Sequence, residues 1–407
     1  MTFSVILITE LYYPEDTSTG YYLTKIAEEI TKRVPVQVIC AQPTYSKRGI
    51  HAPGFEIHNG VEIHRCKSST FDKNSLIKRI LNQLTLTLSI FIVSIKRIRS
   101  NNIVFVVTTP PLLPLIVALV CYIRRAKYIL IIHDVYPDVL STVGLLDKKS
   151  TTYQIFSWLN CLIYKNAEKI ITLGRDMYKL ISQKVNSPSR IEIIPNWGDV
   201  HEVIPEDRGT NKLLTELGLL DKFIFQFMGN IGRTHNIEIL LELANKFESD
   251  YEFHFLFIGW GAKRPIIENY IHKNSPSNVT LLPIQKREDL STALNACDVA
   301  ILSYIEGMEG ISVPSRMYNV MAAGKPILAI TNPYSEVASV IKEESIGWIV
   351  PPNSLDQLYT TILKISQNRE IIKEMGIRAR NAVVKRYSQK MAVEAYLKLV
   401  EQYRGVY

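Results

Sequence analysis

The sequence predicts an α/β protein of two halves, each a parallel sheet covered by helices on both faces. Short apolar runs alternate with longer amphipathic ones along most of the 407 residues, and 47% of the chain is hydrophobic. The periodicity lapses once, near residues 197–221, where polar and charged residues take over. Alternation of this kind is what parallel sheets with helical crossovers require. A chain of this length and apolar content can bury two ordinary cores.

The candidate strands of the first half lie at 5–9, 36–40, 103–107, 128–133, 169–173 and 191–194. Those of the second half lie at 223–228, 254–258, 279–282, 299–302, 326–329 and 347–350. Between the first two, Tyr22, Leu23, Ile26, Ala27 and Ile30 are spaced for one buried helical face. The opening apolar run ends quickly at Glu10 and reads as a buried strand, not a signal peptide. Residues 100–123 carry no charge and are long enough to cross a membrane. Pro110, Pro111 and Pro114 interrupt them, which fits a buried strand, a proline loop and a core helix better.

Segment 76–99 has an uncharged middle flanked by Lys78 and Arg79 at one end and Lys96, Arg97 and Arg99 at the other. Asn82, Gln83, Thr85, Thr87 and Ser89 make it too polar to span. It fits a helix lying on anionic lipid, or equally a core helix with solvated ends. After Arg378 the pattern Ala382, Val383, Tyr387, Met391, Ala392, Ala395, Tyr396, Leu399, Val400 is again helical. The expected domains are 1–200 and 201–380, with 381–407 as a terminal helix.

The formal net charge of +8 is unevenly spread. Residues 1–200 hold 24 Lys and Arg against 15 Asp and Glu, whereas the remainder hold 23 against 24. A basic first half suggests contact with an anionic surface. The chain carries no recognisable nucleic-acid module, so a membrane or an acidic acceptor is expected and nucleic acid is not. Five scattered cysteines without a Cys-x-x-Cys fit reduced thiols in a cytosol.

Two segments of the second half look built to seat a phosphate. Residues 309–324 begin Glu309-Gly-Ile-Ser-Val and continue Pro314-Ser315-Arg316 into a helical pattern that Gly324 stops. Loop, helix start and Arg316 would gather N–H groups and a cation around one point. Gly229-Asn230-Ile231-Gly232-Arg233 follows a strand and precedes a helix. Such a turn exposes amides, and Arg233 can fork onto phosphate oxygens.

In the first half, Ser18, Thr19 and Gly20 start a helix. Free amides and two hydroxyls there suit an anionic or polyhydroxyl ligand, or simply a capped helix. His133 to Asp138, at the end of a strand, sit where parallel sheets bind ligands. No Asp-x-Asp occurs to hold a metal diphosphate, and no Gly-x-x-x-x-Gly-Lys-Ser/Thr loop points to an NTPase.

These motifs resemble the donor site of GT-B glycosyltransferases of family 4, and the resemblance covers nearly the whole chain. The Gly-Asn-x-Gly-Arg turn is similar to the branch that includes fucosyl- and fucosamine-type transferases of bacterial surface polysaccharides such as O-antigen and capsule. The resemblance implies two Rossmann-like domains facing a cleft, with the last helix crossing back to the N-terminal domain. It implies a retaining, metal-independent transfer of a hexosyl or N-acetylhexosaminyl group from a UDP- or GDP-linked sugar, without further cofactor. A lipid-linked saccharide acceptor is expected at the inner face of the cytoplasmic membrane, with the protein cytoplasmic and peripheral.

Donor contacts implied by register are Gly20, Gly229, Asn230, Gly232, Arg233, Gln285, Lys286, Pro314, Ser315, Arg316 and Asn319. Ser18, Thr19 and Asp138 fall on the acceptor side, and His133 beside the donor sugar. The family's Glu-x7-Glu pair is absent: its positions are Ile311 and Asn319. Glu309, or Glu306, stands nearby as the replacement. Loss of the pair also admits a catalytically inactive nucleotide-sugar-binding partner subunit, or a sugar-nucleotide epimerase.

Overall fold

A computed structural model describes residues 3–43, 51–69, 71 and 76–404. They form two compact units. The first comprises residues up to Ser141, Leu146–Pro195 and the chain from Ala392 onward; the second comprises Thr142–Leu145 and Asn196–Met391.

The first unit is built on eight strands: β1 Ser4–Ile8, β2 Val36–Ala41, β3 Phe55–His58, β4 Val61–Cys66, β5 Asn102–Val107, β6 Lys127–Ile131, β7 Lys169–Thr172 and β8 Ile191–Ile193. Their order is β3-β4-β2-β1-β5-β6-β7-β8, and only β3 runs antiparallel to its neighbour. All six residues of β5 are buried, as expected of a β-branched strand in the middle of a doubly covered sheet. The uncharged stretch after it is the helix Leu113–Arg124, which has proline in its first turn. The prolines therefore divide strand from helix, as their fixed φ requires.

The hairpin of β3 and β4 has no counterpart among the expected strands. Its turn is Asn59-Gly60, with φ of 48° and 83°, the left-handed pair that a two-residue hairpin turn needs. The long crossover from β4 to β5 is the helix Leu76–Arg97.

The second unit has β9 Phe223–Asn230, β10 Phe253–Trp260, β11 Val279–Leu282, β12 Val299–Ser303, β13 Ile327–Ile330 and β14 Gly347–Val350. They are parallel in the order β11-β10-β9-β12-β13-β14. One face of the sheet packs a core around Phe225, Phe255, Leu240 and Leu243, the other a core around Ile224, Leu256, Met317 and Met321.

The change of unit falls at Pro195/Asn196 instead of residue 200, because Gly198 and Asp199 bond to Tyr387 O and Asn319 Oδ1 within the second unit. Nor is the tail one helix from 381. Helix Arg369–Arg386 belongs to the second unit, and helix Gln389–Arg404 carries the chain into the first. There Tyr396 packs 6.3 Å from the Phe105 ring, and Glu401 pairs with Arg33. Residues 405–407 of the expected tail lie outside the described residues.

Candidate active site

In each sheet the strand order reverses beside the first strand, between β1 and β5 and between β9 and β12. Ligands of doubly wound sheets bind at the carboxyl ends of the strands at such a point. In each unit some of the sequence-predicted residues lie at that point, whereas Gln285 and Lys286 follow the outer strand β11.

In the second unit, Gly229 and Asn230 are the last residues of β9 and not a turn after it, and they pair with Gly259 and Trp260 at the end of β10. Gly229 and Gly259 have φ of +128° and +150°, which L side chains rarely adopt. A Cβ on Gly259 would stand 1.8 Å from Gly229 O. Two backbones thus meet with no room for side chains.

Arg316, the first residue of helix Arg316–Ala322, reaches back onto this corner. It donates to Met228 O at 3.2 Å, Asn230 O at 3.1 Å and His235 Nε2 at 2.9 Å, with its guanidinium 4.7 Å from the Phe227 ring centroid. Because His235 Nε2 accepts from Arg316, Nδ1 carries the proton and donates to Ser303 O at 2.7 Å. Burial, and then the Arg316 charge, hold the His235 imidazole well below its ordinary pKa, so it is neutral. The expected free guanidinium at a phosphate seat needs correction. Arg316 is a clamp that fixes the end of β9, and its charge lies beneath the glycine corner.

Arg233 differs. It is exposed on the loop between β9 and helix Ile237–Lys246, and among the described residues it has no ion pair. Gly232 is buried beside it, and a Cβ there would meet the Asn230 amide at 2.9 Å. Asn230 is exposed and folded over this turn.

Asn319 was expected among the donor contacts, but its Oδ1 accepts from Asp199 N at 3.0 Å. Asp199 in turn pairs with Arg287 at 2.9 Å, so Asn319 holds the 198–199 segment and keeps only its amide nitrogen for a ligand. Pro314 is buried and Ser315 precedes the Arg316 helix with no side-chain capping bond. Gln285 Nε2 donates to Pro283 O at 2.9 Å, and Lys286 is an exposed side chain 3.4 Å from Glu288. Trp260 at the end of β10 and Ile284 just past the end of the adjacent β11 are apolar and 68% and 69% exposed. Glu309 is exposed in the loop after β12, and Glu306 accepts from Asn353 Nδ2 at 3.3 Å.

In the first unit the helix Ser18–Thr31 starts at the carboxyl end of β1. The Gly20 amide is not free, since Thr17 Oγ1 accepts from it at 3.2 Å. A Cβ on Gly20 would lie 2.8 Å from Glu15 O, so the glycine lets the 13–17 loop close onto the helix. The open amides of that turn are those of Ser18 and Thr19. Thr19 Oγ1 lies 3.3 Å from His133 Nδ1, which brings two of the predicted residues together across the β1/β6 edge. Burial pushes the His133 pKa down to about 4, so this imidazole is neutral at ordinary pH. Its amide, and that of Asp134, donate to Thr108 Oγ1. Asp138 is committed to an ion pair with Lys184, and Tyr153 Oη donates to its carboxylate at 3.4 Å. Its expected acceptor role is thus shared with a structural one.

Residues 18–197 match the model described as a glycosyl transferase 4-like domain, and residues 213–382 the model of glycosyl transferases group 1. The chain is similar to the probable glycosyltransferase WbjE of Pseudomonas aeruginosa, 30% identical over 96% of each chain. It is also similar to the putative colanic acid biosynthesis glycosyl transferase WcaI of Escherichia coli, 24% identical over 86% of this chain and 89% of that one. The structure of HepE from Anabaena in complex with UDP-glucose superimposes with a TM-score of 0.73 at 12% identity, covering 98% of this chain and 99% of that one.

Proposed function

We propose, from the premise that this chain belongs to the glycosyltransferases and has the GT-B fold, that it transfers a sugar from a nucleoside-diphosphate sugar to a lipid-linked saccharide in the assembly of a bacterial surface polysaccharide. The observation that carries the donor half is the corner at Gly229–Arg233. There the glycine backbones pack closely at the carboxyl ends of β9 and β10, Arg233 extends free into solvent, and the clamped Arg316 adds a fixed charge against Gly229. The fixed Arg316 charge would stabilise a leaving diphosphate without reorganising, while Arg233 would close onto it from solvent. The sequence has no Asp-x-Asp, which supports transfer without a metal. UDP is the favoured nucleotide, since a relative of the same fold binds UDP-glucose.

Neutral His133, with Thr19 beside it, offers hydrogen bonds to sugar hydroxyls and carries no positive charge. Glu309 is the exposed carboxylate for the donor sugar in place of the missing glutamate pair. The mechanism proposed with these groups is retention of anomeric configuration, with the leaving phosphate taking the acceptor proton on the same face; the lowered His133 pKa bears only on the choice of phosphate over imidazole as base. WcaI is named for colanic acid biosynthesis, which supports a polysaccharide role; a site of action at the cytoplasmic face of the membrane is part of the same proposal.

The test is thermal stabilisation by UDP, GDP, ADP and CMP at equal concentration. A ligand at 100 times its Kd adds about 2.7 kcal/mol to the folded state. Stabilisation by UDP above the others supports the reading, and a melt unmoved by any nucleotide removes it.

A further inference from the structure

Three helices of the first unit lie side by side on one face of its sheet: Leu76–Arg97, Leu113–Arg124 and Thr151–Asn166. Each buries one side against the unit, through Leu86 and Ile90, Val117 and Val120, and Ile163 and Tyr164 respectively. The opposite side of each is apolar as well, where a surface helix would normally be polar. On the first helix Leu81, Leu84, Leu88 and Ile92 recur at helical spacing and are 43–61% exposed. On the second, Tyr122 is 85% and Ile123 53% exposed; on the third, Ile155 and Trp158 are 55% and 60% exposed.

The charges on these helices are of one sign. None of the three contains an Asp or Glu, in a chain with 39 of them. Lys78, Lys96, Arg97, Arg124 and Lys165 lie towards their ends. Lys96 and Arg97 also line a cleft with Gly54 and His64, a seat suited to a phosphate group. An apolar outer layer on helices whose own charges are all cationic matches the chemistry of an anionic bilayer surface. The first helix has an 18-residue window apolar enough to cross a membrane, yet the helix packs against the sheet and its neighbouring helix, which suits lying on a membrane and not through it.

We infer that the outer face of these three helices together is a docking surface for an anionic bilayer, holding the first unit flat on the membrane. This deepens the proposed lipid-linked acceptor and rests on that reading for its biological sense. The binding itself is independent of the donor.

The experiment is co-sedimentation of the full chain with vesicles of phosphatidylcholine alone and with about 30% phosphatidylglycerol. Burying two leucine side chains contributes enough that Leu84→Glu with Leu88→Glu should lower the bound fraction at least about tenfold. Trp158→Glu should lower it as well, and Tyr251→Glu, at an exposed aromatic of the second unit, should not. Binding to the anionic vesicles that weakens with salt, with the variants melting as the parent does, is the expected result. Absence of binding, full binding by the Leu84/Leu88 variant, or a parent dimer that this variant splits would overturn the inference. UDP stabilisation of the same variants is expected unchanged, which separates failure of the membrane surface from failure of the transferase reading.

Discussion

Arg316 packs onto the glycine corner from a distant part of the chain and Arg233 follows it in sequence, but the structure gives them different work, and substitution separates the two. Arg316→Ala removes hydrogen bonds to Met228 O, Asn230 O and His235 Nε2, together with the packing over Phe227. Net contributions of about 1 kcal/mol per bond, and as much again for the cation over the ring, sum to about 3–5 kcal/mol. For a unit of this size that lowers the melting temperature by on the order of 10 °C. Arg316→Lys carries a point charge that cannot reach three acceptors at once and should recover only part of the loss.

Arg233→Ala removes an exposed side chain and should melt within about 0.5 kcal/mol of the parent. Its cost falls on the donor: loss of a charged hydrogen bond worth about 1.5–3 kcal/mol weakens UDP binding roughly 10- to 100-fold. Differential scanning fluorimetry and UDP titration of the three variants read both quantities. If Arg316→Ala melts with the parent and loses only UDP affinity, then Arg316 is a ligand and the clamp is wrong.

Other consequences follow from burial and from the carboxylates. Burial holds His133 and His254 at about 4 and His235 well below its ordinary value, against about 6.5 in the unfolded chain. The unfolded state therefore binds more protons below pH 6.5, and stability that is fully present above it is lost as pH falls toward 4, by about 1.4 kcal/mol per unit for each histidine. Urea titrations at several pH values check the slope. Gly259→Ala would set its Cβ 1.8 Å from Gly229 O at a positive φ, and should cost about 4 kcal/mol or more, leaving little soluble protein. Glu309→Gln should reduce turnover at unchanged melting temperature, while Glu306→Gln, at a side chain already hydrogen-bonded to Asn353, should change turnover less.

The two-sheet architecture was legible because buried parallel strands are continuous apolar runs, as β5 and β9 are. The β3–β4 hairpin was missed because β3 is short and half exposed, although Asn59-Gly60 was a usable turn signal. Gly229, Arg233, Thr19 and His133 could be placed at strand ends from local pattern alone. The partnership of Arg316 with His235 could not, since it joins residues far apart in the chain through a contact that only packing defines. The same holds for Asn319, whose bond to Asp199 depends on where the 198–199 segment returns. Gly20 reads as a phosphate glycine in one dimension and as a close-packing glycine in three.

The most direct measurement is incubation of the purified protein with UDP-sugars labelled in the sugar and a lipid extract carrying saccharide acceptors. The expected result is label passing to the organic phase in stoichiometric exchange for UDP, at a rate cut at least about tenfold in Arg233→Ala. Donor that is epimerised or hydrolysed with no label reaching lipid, or transfer that Arg233→Ala leaves untouched, would contradict it.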